Sequence, residues 1–168
     1  EAIGRGFTIT LFSNGLMTPE VADALARLSP EQVSVLCNVS PQAADSDRQR
    51  ARLHANLEKL GPRARLGVTL TEPELEADFL VDYVNRFKLT RRVRLGIAQP
   101  IVGKDNEYLS PARYREAGGF MVRLAERLCA EGILLGFDCG LTLCMFSEAE
   151  IGRLFTATGR VIIVASRV

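Results

Sequence analysis

The chain has 168 residues, 47% of them hydrophobic and 24% charged, with a formal net charge of +1. That is the profile of a globular domain long enough to bury a core. It lacks the basic excess with which nucleic-acid binders meet phosphate, and no apolar stretch approaches the roughly 20 residues that span a bilayer. The start, Glu1 to Gly6, has no apolar signal segment, and four cysteines are too few for a disulfide framework. The expected compartment is the cytoplasm, and neither nucleic acid nor membrane is an expected partner.

Thr8 to Phe12 reads as a first strand, β-branched and aromatic, closed by Asn14-Gly15. Thr18-Pro19-Glu20 has the form of a helix start, with Thr as cap, Pro at the first position and an acid in the first turn. Val21, Ala24, Leu25 and Leu28 then form one stripe. Gln32 to Asn38 is a second strand. After the polar stretch Pro41 to Asp47, Leu53, Leu57 and Leu60 recur at helical spacing until Gly61-Pro62. Arg65 to Leu70 is the third strand. Thr71 and Glu74 have capping-box spacing for a helix whose inner face is Leu75, Phe79, Tyr83 and Phe87.

Arg92 to Ala98 is the fourth strand, ending at Gln99-Pro100. A loop from Gly103 to Leu109 leads to Ser110-Pro111 and a helix carrying Ala117, Met121, Leu124 and Leu128. Ile133 to Phe137 is the fifth strand, Ser147 with Glu150 starts a short helix, and Val161 to Val164 is a sixth strand. The basic clusters Arg63–Arg65 and Arg91–Arg94 precede strands and read as solvated loops. The fold class is α/β: repeated βα units, with each crossover returning the chain to the same end of a parallel sheet.

Ligands of parallel α/β sheets bind at the carboxyl ends of the strands. Here those ends are Ser13-Asn14-Gly15, Asn38-Val39-Ser40, Thr71-Glu72, Gln99 and Asp138-Cys139. Such amides, hydroxyls and acids suit a ligand with ribose-like hydroxyls, an amine and a carboxylate. No P-loop or G-x-G-x-x-G occurs. No lysine falls at a strand end, which sets an aldolase-like barrel last. His54, the one histidine, is read as solvent-facing and has no Ser or Cys placed to pair with it. Cys37 in a strand and Cys129 on a helix are read as buried, inert thiols.

Ser13-Asn14-Gly15-Leu16 after a strand resembles the third strand of radical S-adenosylmethionine enzymes, with Ser13 where Thr is usual. Gly67-Val68-Thr69-Leu70-Thr71-Glu72 resembles their fifth-strand motif at the adenine, without its second glycine. Asn38 and Ser40 fall where the fourth strand meets the ribose or amino acid part of the cofactor. The resemblance implies part of a TIM-like barrel over residues 1–132, comprising strands three to six of the parent, and the start of a C-terminal extension over 133–168. It implies S-adenosylmethionine held by Ser13, Asn14, Gly15, Asn38, Ser40, Thr71 and Gln99, with Gln99 and the Asp138–Cys144 region toward substrate or a second cluster.

The family's Cys-x3-Cys-x2-Cys ligands for a [4Fe–4S] cluster, and its glycine-glycine-glutamate run, do not occur in this sequence. The expectation is therefore a fragment that begins after the second βα unit, binds no cofactor by itself and is inactive. Cys139 and Cys144 would ligate metal in the intact parent alone, since two thiolates supply half a cluster site. A fragment of this kind would expose its first strand as a sheet edge and associate with copies of itself there. The alternative is a complete small α/β module for ligand binding or assembly. No catalytic residue is assigned.

Overall fold

The computed structural model describes residues 3–39, 46–138 and 141–158. Ser40, Cys139 and the strand expected at Val161–Val164 lie outside the described residues. Among the described residues five strands, β1 (Ile9–Ser13), β2 (Val33–Asn38), β3 (Ala64–Leu70), β4 (Arg92–Ile97) and β5 (Leu134–Phe137), alternate with five α-helices. The helices are α1 (Pro19–Ala26), α2 (Asp47–Leu60), α3 (Asp78–Arg86), α4 (Tyr114–Ala130) and α5 (Glu148–Thr158). The strands form one parallel sheet in the order β1-β2-β3-β4-β5. Among the described residues the sheet is open, with β1 and β5 at its ends, rather than closed into a barrel.

The chain divides into two compact units. The first, 1–67 with 78–91, holds β1, β2, the first half of β3 and helices α1 to α3. Its core is Val33, Val35, Cys37, Ala64 and Leu66 from the strands, and Leu53, Leu57, Leu60, Leu80, Val84 and Phe87 from the helical segments. The second, 68–77 with 92–168, buries Val93, Leu95, Ile97 and Leu135 of the strands with Met121, Leu124 and Leu128 of α4 and Leu154 of α5.

Burial alternates along the strands. In β4, Val93, Leu95 and Ile97 are buried while Arg92, Arg94 and Gly96 are not; in β5, Leu135 is buried between exposed Leu134 and Gly136. In the first unit Thr10 and Phe12 are exposed on β1, and Asn38 is exposed at the end of β2. Leu36 and Gly67 depart from the pattern: both are buried on the face that carries Asn38 and Arg65, Leu36 in register with Phe12 and Arg65.

Several local expectations shift. Thr71 and Glu74 do not cap a helix, because Glu74 pairs with Arg123 and Glu72 with Arg113, and α3 starts later, at Asp78. The buried face of α3 is Leu80 and Val84, leading to Phe87, with Phe79 and Tyr83 half-exposed. In α1 the buried residue is Ala22; Val21 is 47% exposed, since so short a helix covers little of its neighbours. Thr18 has the extended backbone of a cap, but its side chain makes no capping hydrogen bond to α1. Ser147 and Glu150 do form a reciprocal cap: the Glu150 carboxylate accepts from Ser147 N, and Ser147 Oγ accepts from Glu150 N.

Gly118 and Gly119 sit together on α4 with opposite demands. A Cβ on Gly118 would collide with the main-chain carbonyl of Met145, whereas one on Gly119 would make ordinary contacts of 3.5 and 3.6 Å with Arg123 and Glu150. Gly118→Ala should therefore lower stability by about 1–3 kcal/mol through overpacking. Gly119→Ala should raise it by up to about 1 kcal/mol, the helix-propensity difference between Ala and Gly. Urea unfolding of the two variants beside the parent checks both signs.

Candidate functional site

The turn after β1 is built by its own side chains. Ser13 Oγ accepts from Gly15 N at 3.0 Å, and Asn14 Oδ1 accepts from Leu16 N at 3.0 Å, two nested side-chain turns. Gly15 has φ +78°, and a Cβ there would strike Leu53 of α2; only glycine meets both conditions. Asn56 of α2, 2% exposed, donates from Nδ2 to the carbonyls of Gly15 and Met17 at 2.8 and 2.9 Å. Arg52 Nε also donates to Met17, at 2.9 Å. What the turn can offer a ligand is donor chemistry: the Ser13 hydroxyl proton and the Asn14 amide hydrogens.

In the same unit, Asn38 and Gly67 are register partners on β2 and β3. Asn38 Oδ1 occupies the place where a Gly67 Cβ would stand, so any larger residue there would displace the amide. The ladder continues past it, with Val39 N donating to Gly67 O at 2.8 Å. Two residues before Gly67, Arg65 has a buried Nε without a hydrogen-bond partner. This places a carboxamide and a guanidinium on one face of β2 and β3, side chains alternating by two along each strand.

In the second unit, Thr71 is half-buried at the end of β3, and Gln99 is exposed past β4. The Gln99 carbonyl accepts from Asn106 Nδ2 at 3.0 Å, while Asn106 Oδ1 accepts from Ile101 N at 2.8 Å, which fixes the loop after β4. Arg94 and Asp138 form an ion pair between β4 and the end of β5. Cys144 is exposed, its Sγ 3.1 Å from Thr142 Oγ1. Among the described residues no group of three or more His, Cys, Asp and Glu could hold a metal ion, and no helix is long and apolar enough to cross a membrane.

The other cysteines and the histidine differ from one another in environment. Cys37 is buried, as expected, and burial pushes its thiol up to about 12. Cys129 is exposed, contrary to the expectation from Leu128 beside it, because adjacent helical positions face different directions. It borders an open groove of about 700 Å³ between α4 and α5, where Arg153 and Glu126 pair through two bonds of 2.7 and 2.6 Å. His54 is not solvent-facing but half-buried between α2 and α3, with Nε2 2.8 Å from Tyr83 Oη and its ring against Tyr83 and Phe87.

The sequence marks the strand ends and, through the motif that starts at Gly67, the third strand, but does not single out Asn56, Arg65 or Gly96 as site residues. Isolated glycines inside strands mark close approach, and that signal was present at Gly67, Gly96 and Gly136. The comparisons with family models, curated proteins and solved structures found no match.

Thiol reactivity and pH check these environments. In native protein, a maleimide should label Cys129 and Cys144, whereas Cys37 should react only after unfolding; mass spectrometry of the digested protein separates them. Burial first, then Arg86 and Arg50, hold the His54 imidazole below its ordinary 6.5, with Asp82 opposing. The unfolded chain therefore takes up the proton first as pH falls. The stability tied to neutral His54 is present above 6.5 and lost as pH drops through the lowered folded value. The urea midpoint should be lower at pH 5.5 than at pH 7.5, and His54→Phe should flatten that difference.

Proposed function

We propose that this chain is part of a radical S-adenosylmethionine Fe–S oxidoreductase and contributes cofactor-facing strand ends of a partial TIM-like barrel. The observation that carries the reading is Asn38 seated over Gly67. A polar amide is held at the carboxyl end of parallel strands, above a glycine that leaves it room. Asn38 suits a ribose hydroxyl, the Ser13-Asn14-Gly15 turn offers donors, and Arg65 suits a carboxylate. The family resemblance assigns the adenine to Thr71 and the substrate to Gln99, and in this reading the protein works in the cytoplasm.

The cluster does not fit these residues. The sequence has four cysteines without the Cys-x3-Cys-x2-Cys spacing, so the ligands for a cluster that reduces the sulfonium would have to come from elsewhere in the parent. This chain's own residues bind and orient. That observation also favours the second reading, a ligand-binding or assembly module without redox chemistry. Association of copies through β1 belongs to the first reading and is supported by its place at the end of the sheet and by exposed Phe7 and Phe12.

Titration of ¹⁵N-labelled protein with S-adenosylmethionine and with 5′-deoxyadenosine tests the reading. Without the cluster ligands the chain alone should not hold the cofactor tightly, but its cradle residues should keep weak, millimolar binding, with saturable shifts at the amides of Asn14, Asn38 and Gly67 for both ligands. Asn38→Ala should weaken binding about tenfold, the loss of one good hydrogen bond. Absence of saturable shifts at millimolar ligand would overturn the cofactor cradle.

A further inference from the structure

We propose that the open face of β4 and β5 is a receptor for a zwitterionic α-amino acid, formed by Arg94, Asp138 and Thr69 over a floor of Gly96 and Gly136. The site is assigned from the second unit alone and does not depend on the cofactor reading of Asn38 and Gly67.

The register supplies the geometry. Arg94 lies beside Gly136, Leu95 lies beside Phe137, and Asp138 N donates to Leu95 O at 2.9 Å. Paired residues of parallel strands share a face. Arg94, Gly96, Gly136 and Asp138 therefore make one four-residue patch, with the charged side chains on one diagonal and the glycines on the other. The ion pair crosses the patch, its side chains 29% and 31% exposed. A methyl on Gly96 would rest 3.6 Å from Asp138 Cβ, 3.7 Å from its Oδ2 and 3.8 Å from Thr69 Oγ1. The space over Gly96 is thus bounded by a carboxylate and a hydroxyl, with the guanidinium beside it.

Charge sets the ligand class. A ligand carrying one charge could take the place of only one member of this half-buried pair and would break the ion pair without replacing it for the other, which is costly. A ligand carrying both charges replaces both partners at once. Its carboxylate takes the planar fork of Arg94, and its ammonium donates to Asp138 and Thr69. The site remains neutral throughout. The patch also lies toward the carboxyl ends of the strands, where parallel α/β sheets place ligands. A pair that served only to pin β5 to β4 would not need two glycines, which weaken strands for want of a side chain to pack.

The test is ¹⁵N-resolved titration of the wild-type chain with L-leucine, isovalerate and isoamylamine at equal concentrations. L-leucine should give saturable shifts at the amides of Gly96 and Gly136, and each single-charge analogue should bind at least tenfold more weakly. Gly96→Val should abolish the leucine response with the unfolding temperature retained, and Arg94→Gln with Asp138→Asn should abolish it as well. No saturable response to L-leucine, or a response to isovalerate equal to that of leucine, overturns the proposal. 5′-Deoxyadenosine carries no amino acid and reports through Asn38 and Gly67, so failure of one reading is separable from failure of the other.

Discussion

One-sided burial of parallel strands is the constraint on which the rest depends. An all-parallel sheet ordinarily buries both faces, and its strands then read as unbroken apolar runs. Here β4 alternates instead, with Val93, Leu95 and Ile97 under cover and Arg92, Arg94 and Gly96 on the other face. The helices satisfy one side. The other keeps polar groups that would be costly to bury without partners. Leu36 and Gly67 are exceptions, Leu36 buried in register between Phe12 and Arg65 and Gly67 beneath Asn38.

That open face explains the glycines. Gly67 yields its Cβ position to Asn38, and Gly96 lies under Asp138 and Thr69. A β-branched residue would pack better at any of these positions if the sheet alone mattered. The turn after β1 shows how firmly the strand ends are held. Asn56 is the only buried polar residue among those described, and it satisfies two carbonyls of that turn. Without Asn56 the Gly15 carbonyl would lose this partner, at a cost of about 1–3 kcal/mol, while Met17 would keep Arg52.

Much of the fold was readable in the sequence because the signals were strong and local. β-branched runs marked the strands, Leu53, Leu57 and Leu60 marked α2, and Met121, Leu124 and Leu128 marked α4; all six helical residues are buried. Where tertiary partners competed with local signals, the reading slipped. Glu74 was taken by Arg123, which undid the capping box, and short α1 buries Ala22 rather than the stripe its spacing suggested. The strand-end positions were legible as polar loops, but their neighbours across the sheet were not. Register decides that Asn38 meets Gly67 and Arg94 meets Gly136, and register is set by pairing between distant segments.

The central claim is an open second face on these parallel strands. Cysteines introduced as Asn38→Cys and Thr69→Cys, each in a background without the native Cys129, Cys139 and Cys144, probe it directly through their maleimide reaction rates. Both should react at rates close to that of a free thiol in the native state. Protection of either thiol by orders of magnitude, of the kind a sheet covered on both faces would give, would contradict the account.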